Sequence, residues 1–526
     1  MEKLKNRRLW FWAILALAVA VRAAGFGSVP GGINQDEAMG AMDAWALSQY
    51  GTDRFGVHMP VHFEAWSVGQ MSVLLSYCMI PFIKLFGFHT FAVRLPMLLV
   101  SCGAVALLYL AAKRMFDENT ALLAMFLGAV NPWQFMQSRW SLDCNLFPHV
   151  FLLAFYLLLL GLERRRYLYL SMVFFGLTFY CYGVAVYSVT PFLFVFAAWC
   201  LWKKRLRFRE ILACVLIFAA VALPEIIVMV INAFGLKTIE TPFFTMSRFP
   251  ESVRSNDILF LNFSFGQLGR NLLAMLKTCF LQTPDNLFNA LPAFGPMYHI
   301  SIPFMLLGIV LLTRNLFREK DMGRKTVLLA LWGFLMTGVW VGAITYEVNV
   351  NRINIIFYPL IFLCAYGISA AAHRFRRVGA AAVLVYGVCF VCFLSVYFTS
   401  FRQEIQTYFN VNFLRAVSEA DSMEDYDRLY ITGNMDWQYN LSMAEILTQY
   451  ACKIDAAYYQ EKTDSTGGRR LLPYSQRYHY INVEYPLEPD AGGLYLLHIS
   501  ERDRITFDYK VLREDGNYCL LTPVTR

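Results

Sequence analysis

Long runs of apolar residues, separated by short polar links, fill the first 400 positions of this chain. A helix that crosses a membrane needs roughly 18–20 apolar residues in a row, and the runs approach or exceed that length. Eleven runs of this kind lie at about 9–27, 91–112, 119–137, 145–162, 167–182, 184–202, 210–233, 298–313, 326–345, 353–372 and 378–399. The pattern predicts a polytopic α-helical membrane protein with about 11 spans.

A further apolar run at 68–88 is ambiguous, because it contains Gln70, Pro81 and Lys84. Basic residues concentrate in the cytoplasmic links of membrane proteins, and this rule separates the alternatives. The basic clusters lie at Lys3 to Arg8, Lys113–Arg114, Arg164 to Arg166, Lys203 to Arg209, Arg314 to Lys325 and Arg374 to Arg377. All six fall on one side only if 68–88 does not cross. We therefore predict an interfacial or re-entrant helix there, in the first external loop, with the N-terminus in the cytoplasm and the C-terminus outside.

The chain changes character after about residue 400. From Phe401 to Arg526 it is charged, and its apolar residues alternate with polar ones. Strands are predicted at 427–433, 477–485, 493–500, 507–512 and 518–524, and helices at 412–420 and 442–450. We predict a transmembrane domain at 1–400 followed by a small extracytoplasmic α/β domain at 401–526. Cys452 and Cys519 are the two cysteines of this polar part, and nothing in the sequence demands that they pair.

Composition and charge agree with a membrane protein and exclude several other classes. Hydrophobic residues make up 57% of the chain and charged residues 16%, whereas soluble domains carry roughly 25% charged residues. The net charge is +8, but the basic residues sit in short clusters between apolar runs, which indicates topology and not a nucleic-acid surface. No zinc-binding cysteine pattern and no Walker or dinucleotide-binding glycine motif occurs. Arg22, and the lack of a clear cleavage site, favour a retained first helix over a signal peptide.

Unusual polar residues collect on the outer side of this topology. They are Asp36 and Glu37 after the first span, Arg94 at the start of the second, Arg139 and Asp143 in the next outer turn, Tyr182 in the turn after it, and Asn351 and Arg352 in the last outer turn. Ionisable groups at membrane depth are costly and usually face a cavity. A carboxylate could take the proton of an acceptor hydroxyl, and arginines bind phosphate in bidentate fashion. The set suits group transfer from a lipid-linked phosphate.

Each of these residues also has an ordinary interpretation. A neighbouring Asp-Glu pair in a loop is commonly just solvated. Arg94 and Arg352 at helix starts could be snorkelling anchors, and Arg139 and Asp143 could be a structural pair. Tyrosines at the membrane interface are commonly belt residues. The signal is therefore their location on one face, and not any single residue.

Four stretches resemble the GT-C glycosyltransferases. The stretch NQDEAMGAMDAWALSQYGTDRFGVHMP resembles the first external loop of the bacterial family-39 branch, which is related to dolichyl-phosphate-mannose protein mannosyltransferases and lipid A aminoarabinose transferases. FAVRLP, NPWQFMQSRWSLDCN and NVNRINIIFYPLIFL are similar to the arginine-containing helix starts of that family. The resemblance covers roughly residues 8–400 and implies a GT-C fold.

The resemblance also implies roles for individual residues. Asp36 matches the acid taken as catalytic base, and Glu37 matches the neighbour that orients the base or the acceptor. Asp143 matches a second acid, at the donor sugar or the acceptor. Arg94, Arg139 and Arg352 are candidates for the donor phosphate, with Arg139 the best of the three. Tyr182 and Asn351 complete the predicted donor and acceptor site.

The implied donor is a polyprenyl-phosphate-linked sugar, transferred with inversion at the outer face of the cytoplasmic membrane. The acceptor is an envelope glycan, a lipid or a protein, although the loop at 234–297 is too short for the β-trefoil repeats of the eukaryotic protein mannosyltransferases. No cofactor is implied, although Asp36 and Glu37 could bind a divalent cation. Two alternatives stay open: a transporter or flippase of lipid-linked sugars, and an envelope polymerase or ligase that uses pyrophosphate donors.

Overall fold

The structure, a computed structural model, describes residues 2–66, 69–250, 264–284, 287–462 and 472–524. Helices account for most of it, and a small sheet lies near the C-terminus. In the described part, the helices up to residue 400 are α1 (Glu2–Ala23), α2 (Gln35–Tyr50), α3 (Leu74–Phe86), α4 (Thr90–Met115), α5 (Glu118–Ala129), α6 (Pro132–Gln137), α7 (Asp143–Gly161), α8 (Arg165–Leu177), α9 (Ala185–Trp202), α10 (Phe208–Phe234), α11 (Phe265–Phe280), α12 (Ser301–Arg318), α13 (Met322–Ile344), α14 (Phe357–Arg374) and α15 (Arg376–Phe398).

Eight of the described helices are long and apolar enough to cross a membrane, namely α4, α7, α9, α10, α12, α13, α14 and α15. The other three predicted runs form α1, α5 with α6, and α8. The run at 119–137 is interrupted because Asn131 caps a new helix and Pro132 occupies its first turn. The helix α8 gives way to a short 3-10 turn at Thr178–Tyr180. The polytopic helical architecture is confirmed, whereas the count of eleven spans stays a prediction.

The ambiguous run at 68–88 does not form a spanning helix. Its first residues form strand β2 (Gln70–Ser72), which pairs antiparallel with β1 (His62–Glu64). The helix α3 that follows has 13 residues, a length of about 20 Å, against the roughly 30 Å of hydrocarbon. This length is short for a span, and the interfacial or re-entrant position of the segment stays a prediction. Later in the chain, a short hairpin pairs β3 (Ile239–Glu240) with β4 (Thr245–Met246).

The C-terminal region contains every strand and helix that the sequence predicts there. Its helices are α16 (Ser400–Tyr408), α17 (Val411–Ser422), α18 (Leu441–Ala451), α19 (Ala456–Tyr459) and α20 (Tyr474–Arg477). Its strands are β5 (Arg428–Thr432), β6 (Tyr478–Ile481), β7 (Gly493–His498), β8 (Tyr509–Asp515) and β9 (Tyr518–Pro523). They form one mixed sheet in the order β6-β5-β7-β9-β8, parallel among the first three and antiparallel beyond β7.

The C-terminal region shares a hydrophobic core with the first loop. Ile33 and Met39 from the start of α2 pack in the same buried cluster as Phe413 of α17 and Leu447 of α18. The helix α18 lies against α2. Two hydrogen bonds join the main chain at this junction, from Ile33 N to the Phe409 carbonyl (2.9 Å) and from Asn410 Nδ2 to the Ile33 carbonyl (3.2 Å). The boundary at 400/401 stays a prediction, and no disulfide forms among the described residues.

Candidate functional site

The two neighbouring acids, Asp36 and Glu37, lie in the first turn of α2. Asn34 caps this helix, because its Oδ1 accepts a hydrogen bond from Asp36 N at 3.0 Å. Carboxylates are stabilised at this position, where unpaired backbone N–H groups give the helix end a partial positive charge. The predicted loop acids are therefore held in a fixed orientation by a helix terminus.

Glu37 is completely buried and bonded through both oxygens. Its Oε1 accepts hydrogen bonds from Arg94 Nε (2.8 Å) and from the backbone N of Ser141 (2.8 Å), and its Oε2 accepts one from Arg94 Nη2 (2.7 Å). The carboxylate thus joins three parts of the chain: the start of α2, the second turn of α4, and the link between α6 and α7. Charge-assisted bidentate contacts of this kind are among the stronger side-chain interactions.

The Arg94 guanidinium holds the segment that leads to the acid pair. Besides the two bonds to Glu37, Arg94 donates from Nη1 to the Pro30 carbonyl (2.7 Å) and from Nη2 to the Gly32 carbonyl (2.9 Å). All three guanidinium nitrogens are therefore engaged by protein oxygens, and the side chain is 0% exposed. To bind a donor phosphate, as the sequence predicts, Arg94 would have to release these partners.

Asp36 has a different environment from its neighbour, because it is only half-buried. Trp66, which follows β1, donates a hydrogen bond from its indole Nε1 to Asp36 Oδ1 at 2.6 Å. The carboxylate is thus oriented by Trp66 and by its place on the helix, while part of it stays exposed. Within the pair, Asp36 is the carboxylate that an incoming molecule can reach.

Arg139 is fully buried at the exit of α1 and bonded in the same way as Arg94. It donates from Nε to the Val29 carbonyl (2.9 Å), from Nη1 to the Arg22 carbonyl (2.8 Å) and from Nη2 to the Gly25 carbonyl (2.8 Å). Its guanidinium carbon also lies 5.5 Å from the ring centre of Tyr397. Arg139 therefore fixes the chain between α1 and α2 in this structure.

Arg352 differs from the other two arginines because it is half-buried. Its backbone N donates to Asn349 Oδ1 (2.8 Å), and its Nη1 donates to the Glu347 carbonyl (3.1 Å). Its other guanidinium nitrogens have no protein partner among the described residues. Arg352 is thus the arginine of the three that is partly exposed and has two guanidinium nitrogens, Nε and Nη2, without a partner among the described residues.

The turn around Asp143 is linked to the last outer turn through asparagine side chains. Asp143 itself begins α7 and is buried. Asn289 Nδ2 donates to Asn145 Oδ1 (2.9 Å) and also to Asn351 Oδ1. Asn354 Nδ2 donates to the Cys144 carbonyl at 2.7 Å. Hydrogen bonds therefore bring together two turns that lie more than 200 residues apart in the sequence.

Two polar atoms in this asparagine cluster are buried without a hydrogen-bond partner in the described part of the chain, Asn145 Nδ2 and Asn354 Oδ1. Buried polar groups normally have a partner, so a water molecule or a ligand group is expected there. The remaining predicted residue, Tyr182, is half-buried in the turn before α9, where its carbonyl accepts from Ala185 N at 2.9 Å.

Sequence reasoning missed three residues that shape this region: Trp66, Ser141 and Asn289. Ser141 lies inside the stretch SRWSLDCN, but a backbone N–H that binds a carboxylate leaves no mark in the residue type. Trp66 and Asn289 lie in loops without a motif. The described residues contain no group of three or more His, Cys, Asp or Glu side chains that could hold a metal ion.

Comparison with known proteins finds a similarity to one family in part of the chain. Residues 71–228 match the family model of dolichyl-phosphate-mannose-protein mannosyltransferase. This span includes Arg94, Arg139, Asp143 and Tyr182, and it excludes the acid pair. No curated protein matches the chain in sequence.

Solved structures show the same fold at low sequence identity. ArnT from Cupriavidus metallidurans in the apo state aligns with a TM-score of 0.57 at 10% identity, and the same protein bound to undecaprenyl phosphate aligns with 0.56 at 12%; each alignment covers 97% of both chains. The oligosaccharyltransferase of Archaeoglobus fulgidus, in complex with Zn and sulfate, aligns with a TM-score of 0.51 at 13% identity, over 97% of this chain and 72% of its own. The chain has the ArnT-like GT-C fold, and its residues 71–228 are similar to the dolichyl-phosphate-mannose-protein mannosyltransferase family.

Proposed function

We propose that this protein transfers a sugar from a polyprenyl-phosphate donor to an acceptor hydroxyl at the extracytoplasmic face of the cytoplasmic membrane. The observation that carries the proposal is the division of labour within the acid pair. Glu37 is buried and bonded to Arg94 and Ser141, whereas Asp36 is half-buried and held by Trp66. The match to a mannosyltransferase family and the shared fold with a protein solved with undecaprenyl phosphate support the proposal.

Asp36 acts as the general base in the proposed reaction. Its carboxylate takes the proton of the acceptor hydroxyl while that oxygen forms a bond to the anomeric carbon of the sugar. The bond from this carbon to the phosphate oxygen breaks, and the polyprenyl phosphate leaves with the electron pair. A single displacement inverts the anomeric carbon and needs one base. Glu37 acts as a positioning residue, because its bonds to Arg94 hold the helix turn that carries Asp36.

The leaving phosphate needs cationic partners, and Arg352 is half-buried with two guanidinium nitrogens that bond to no described residue. Asn351 is its neighbour and belongs to the asparagine cluster beside Asp143, where amide groups could bind sugar hydroxyls. Arg94 and Arg139 are assigned to the framework that holds the first loop in place. Direct phosphate binding by these two would first break four and three hydrogen bonds respectively.

The base assignment is tested by transfer assays on the full-length protein in vesicles that contain a polyprenyl-phosphate sugar. Asp36→Asn keeps the shape of the side chain and removes the base, so we expect turnover to fall by at least about 100-fold. Glu64→Gln is the matched control, because Glu64 is a half-buried carboxylate of the same loop. Equal turnover in Asp36→Asn and the unmodified protein would exclude Asp36 as the base.

The phosphate assignment is tested at Arg352. We expect Arg352→Ala to raise the KM for the donor by about tenfold or more, since a hydrogen bond to a charged group contributes roughly 1.5–3 kcal/mol. Arg270→Ala is the control, because Arg270 is an exposed arginine whose side chain, within the described part of the chain, bonds to Gln267 on its own helix. An unchanged KM in Arg352→Ala, with normal kcat, would contradict the assignment.

Two measurements separate this function from the alternatives. A transferase releases one free polyprenyl phosphate per sugar transferred, whereas a flippase releases none. A donor with one phosphate separates the protein from envelope polymerases and ligases, which use pyrophosphate donors.

We also expect turnover to continue in a chelator, because a base and a cationic phosphate site suffice for the displacement. The proposed topology predicts that a cysteine placed near Thr52 is labelled from outside intact cells.

A further inference from the structure

A second polar cavity lies at the opposite end of the helix bundle from Asp36. It has a volume of about 600 Å³ and lies between the last turns of α4 and α7 and the first turn of α13. Arg94 lies in the second turn of α4 and Arg114 lies 20 residues further along the helix, so the two positions are about 30 Å apart. Nothing in the proposed transfer reaction uses this end of the bundle.

Arg205 is one of the residues that line this cavity. Its main chain is held in place, because Arg205 N donates to the Cys200 carbonyl (2.8 Å) and the Arg205 carbonyl accepts from Arg165 Nη2 (3.0 Å). The guanidinium makes no hydrogen bond or ion pair with any described residue, and its Nε is buried. A Cβ added to Gly323 would lie 3.4 Å from Arg205 Nη2, so the guanidinium abuts the first turn of α13.

The acids that line the cavity are already bound by other groups. Asp117 caps α5 and accepts from the amides of its first turn at 2.9 and 3.2 Å. Asp321 caps α13 by accepting from Arg324 N at 2.6 Å. Glu163 accepts two hydrogen bonds from Arg114 Nη1 at 3.0 and 3.1 Å. Arg205 is therefore a lining cation whose guanidinium makes neither a hydrogen bond nor an ion pair with a described residue, with Asp321 Oδ2 nearby, 3.1 Å from the same Gly323 Cβ position.

Apolar side chains form the rest of the wall, among them Met115, Leu159, Leu162 and Val327. A half-buried arginine beside apolar side chains suits an amphipathic anion, because the phosphate meets the guanidinium and the hydrocarbon covers the wall. Basic pockets between membrane helices near the head-group level bind anionic lipids in this way.

We propose that this cavity binds the phosphate of an anionic phospholipid head group from the adjacent leaflet, with Arg205 as its main ligand and Arg324 at its rim. Arg324 is largely exposed, and its ion pair with Glu319 is long, at 3.4 Å. It can therefore turn towards a phosphate at little cost. The site stabilises the bundle end and takes no part in sugar transfer.

The test uses the full-length protein in nanodiscs of neutral phosphatidylcholine, with or without anionic phosphatidylglycerol. Native mass spectrometry measures the phosphatidylglycerol retained, and the thermal midpoint measures stabilisation. We expect Arg205→Gln to weaken retention by about tenfold or more, and Arg324→Gln, at an exposed position, to weaken it less. Arg209→Gln is the control, because Arg209 is exposed in the neighbouring turn and does not line the cavity.

Retention and stabilisation that are lost in Arg205→Gln and kept in Arg209→Gln support the proposal. Equal retention in the unmodified protein and both single variants that line the cavity overturns it. Inorganic phosphate added to neutral nanodiscs separates the two sources of the anion. If it raises the thermal midpoint as much as phosphatidylglycerol does, the ligand is free phosphate and the lipid proposal is wrong.

Discussion

Replacement of Glu37 by glutamine tests whether the buried ion pair holds the first loop. Glutamine keeps the size of the side chain but replaces one acceptor oxygen with an NH₂ group. One of the three donors that Glu37 now binds, on Arg94 or Ser141, then faces another donor. The Arg94 charge also stays at 0% exposure without a counterion. Breaking a buried pair from one side costs about 3–5 kcal/mol, and we expect Glu37→Gln to lose that much unfolding free energy.

The measurement is an SDS titration of the protein in dodecyl maltoside, followed by the fluorescence of its 11 tryptophans. Asp515→Asn is the control, because Asp515 pairs with Arg415 at the surface, where such pairs contribute at most about 1 kcal/mol. In the double variant Glu37→Gln with Arg94→Met, the lost stability should be smaller than the sum of the single losses. A loss below about 1 kcal/mol in Glu37→Gln alone would show that the pair does not hold the loop.

Three further predictions follow from contacts around the acid pair and in the C-terminal region. Gly32 has a φ of +70°, and a Cβ there would clash with the Phe409 carbonyl oxygen. Gly32→Ala should therefore lose at least about 2 kcal/mol of unfolding free energy in the same titration. An unchanged midpoint would contradict this contact. Trp66→Phe removes the hydrogen bond that orients the Asp36 carboxylate, so turnover should fall by about tenfold. Unchanged turnover would exclude a role for that bond. Burial raises the pKa of Glu445 from its usual 4.5, so the folded protein binds this proton more tightly than the unfolded chain does. The free energy of unfolding should therefore fall as the pH rises above about 4.5. Glu445→Gln should remove this dependence of stability on pH, and an equal dependence in the variant would refute the assignment.

Local patterns in the sequence predicted the elements of this protein well. The alternation of polar and apolar residues after position 400 predicted all five strands of the sheet, because a strand buries every second side chain and the preference shows within a few residues. Asn131 and Pro132 are typical residues of a helix start, and they interrupt the predicted span at 119–137. The prediction rested on the length of the apolar run and did not take these two residues into account. Predicting the length of a helix requires the capping residues as well as the hydrophobicity of the run.

The roles of the arginines depended on contacts that no local pattern reports. Arg94, Arg139 and Arg352 all stand at polar turns beside apolar runs, and the sequence ranked Arg139 as the best phosphate ligand. In the structure Arg139 is fully buried and each of its guanidinium nitrogens donates to a carbonyl oxygen more than 100 residues earlier in the chain. Arg352 is half-buried, and only its Nη1 has a partner among the described residues. Which oxygens approach a guanidinium is decided by how distant segments pack, so residue type and spacing could not separate the three.

The sequence by itself determined the apolar helices, the C-terminal strands and the position of the acid pair, because each depends on neighbours within a few residues along the chain. The tertiary structure decided that Glu37 is buried while Asp36 is half-buried, and that the C-terminal region packs on α2 in one core. Asp36 and Glu37 are adjacent in sequence but point in different directions on the helix, since successive residues are about 100° apart. Only the surrounding elements, α4, the β1 hairpin and α18, determine which direction is closed and which is open.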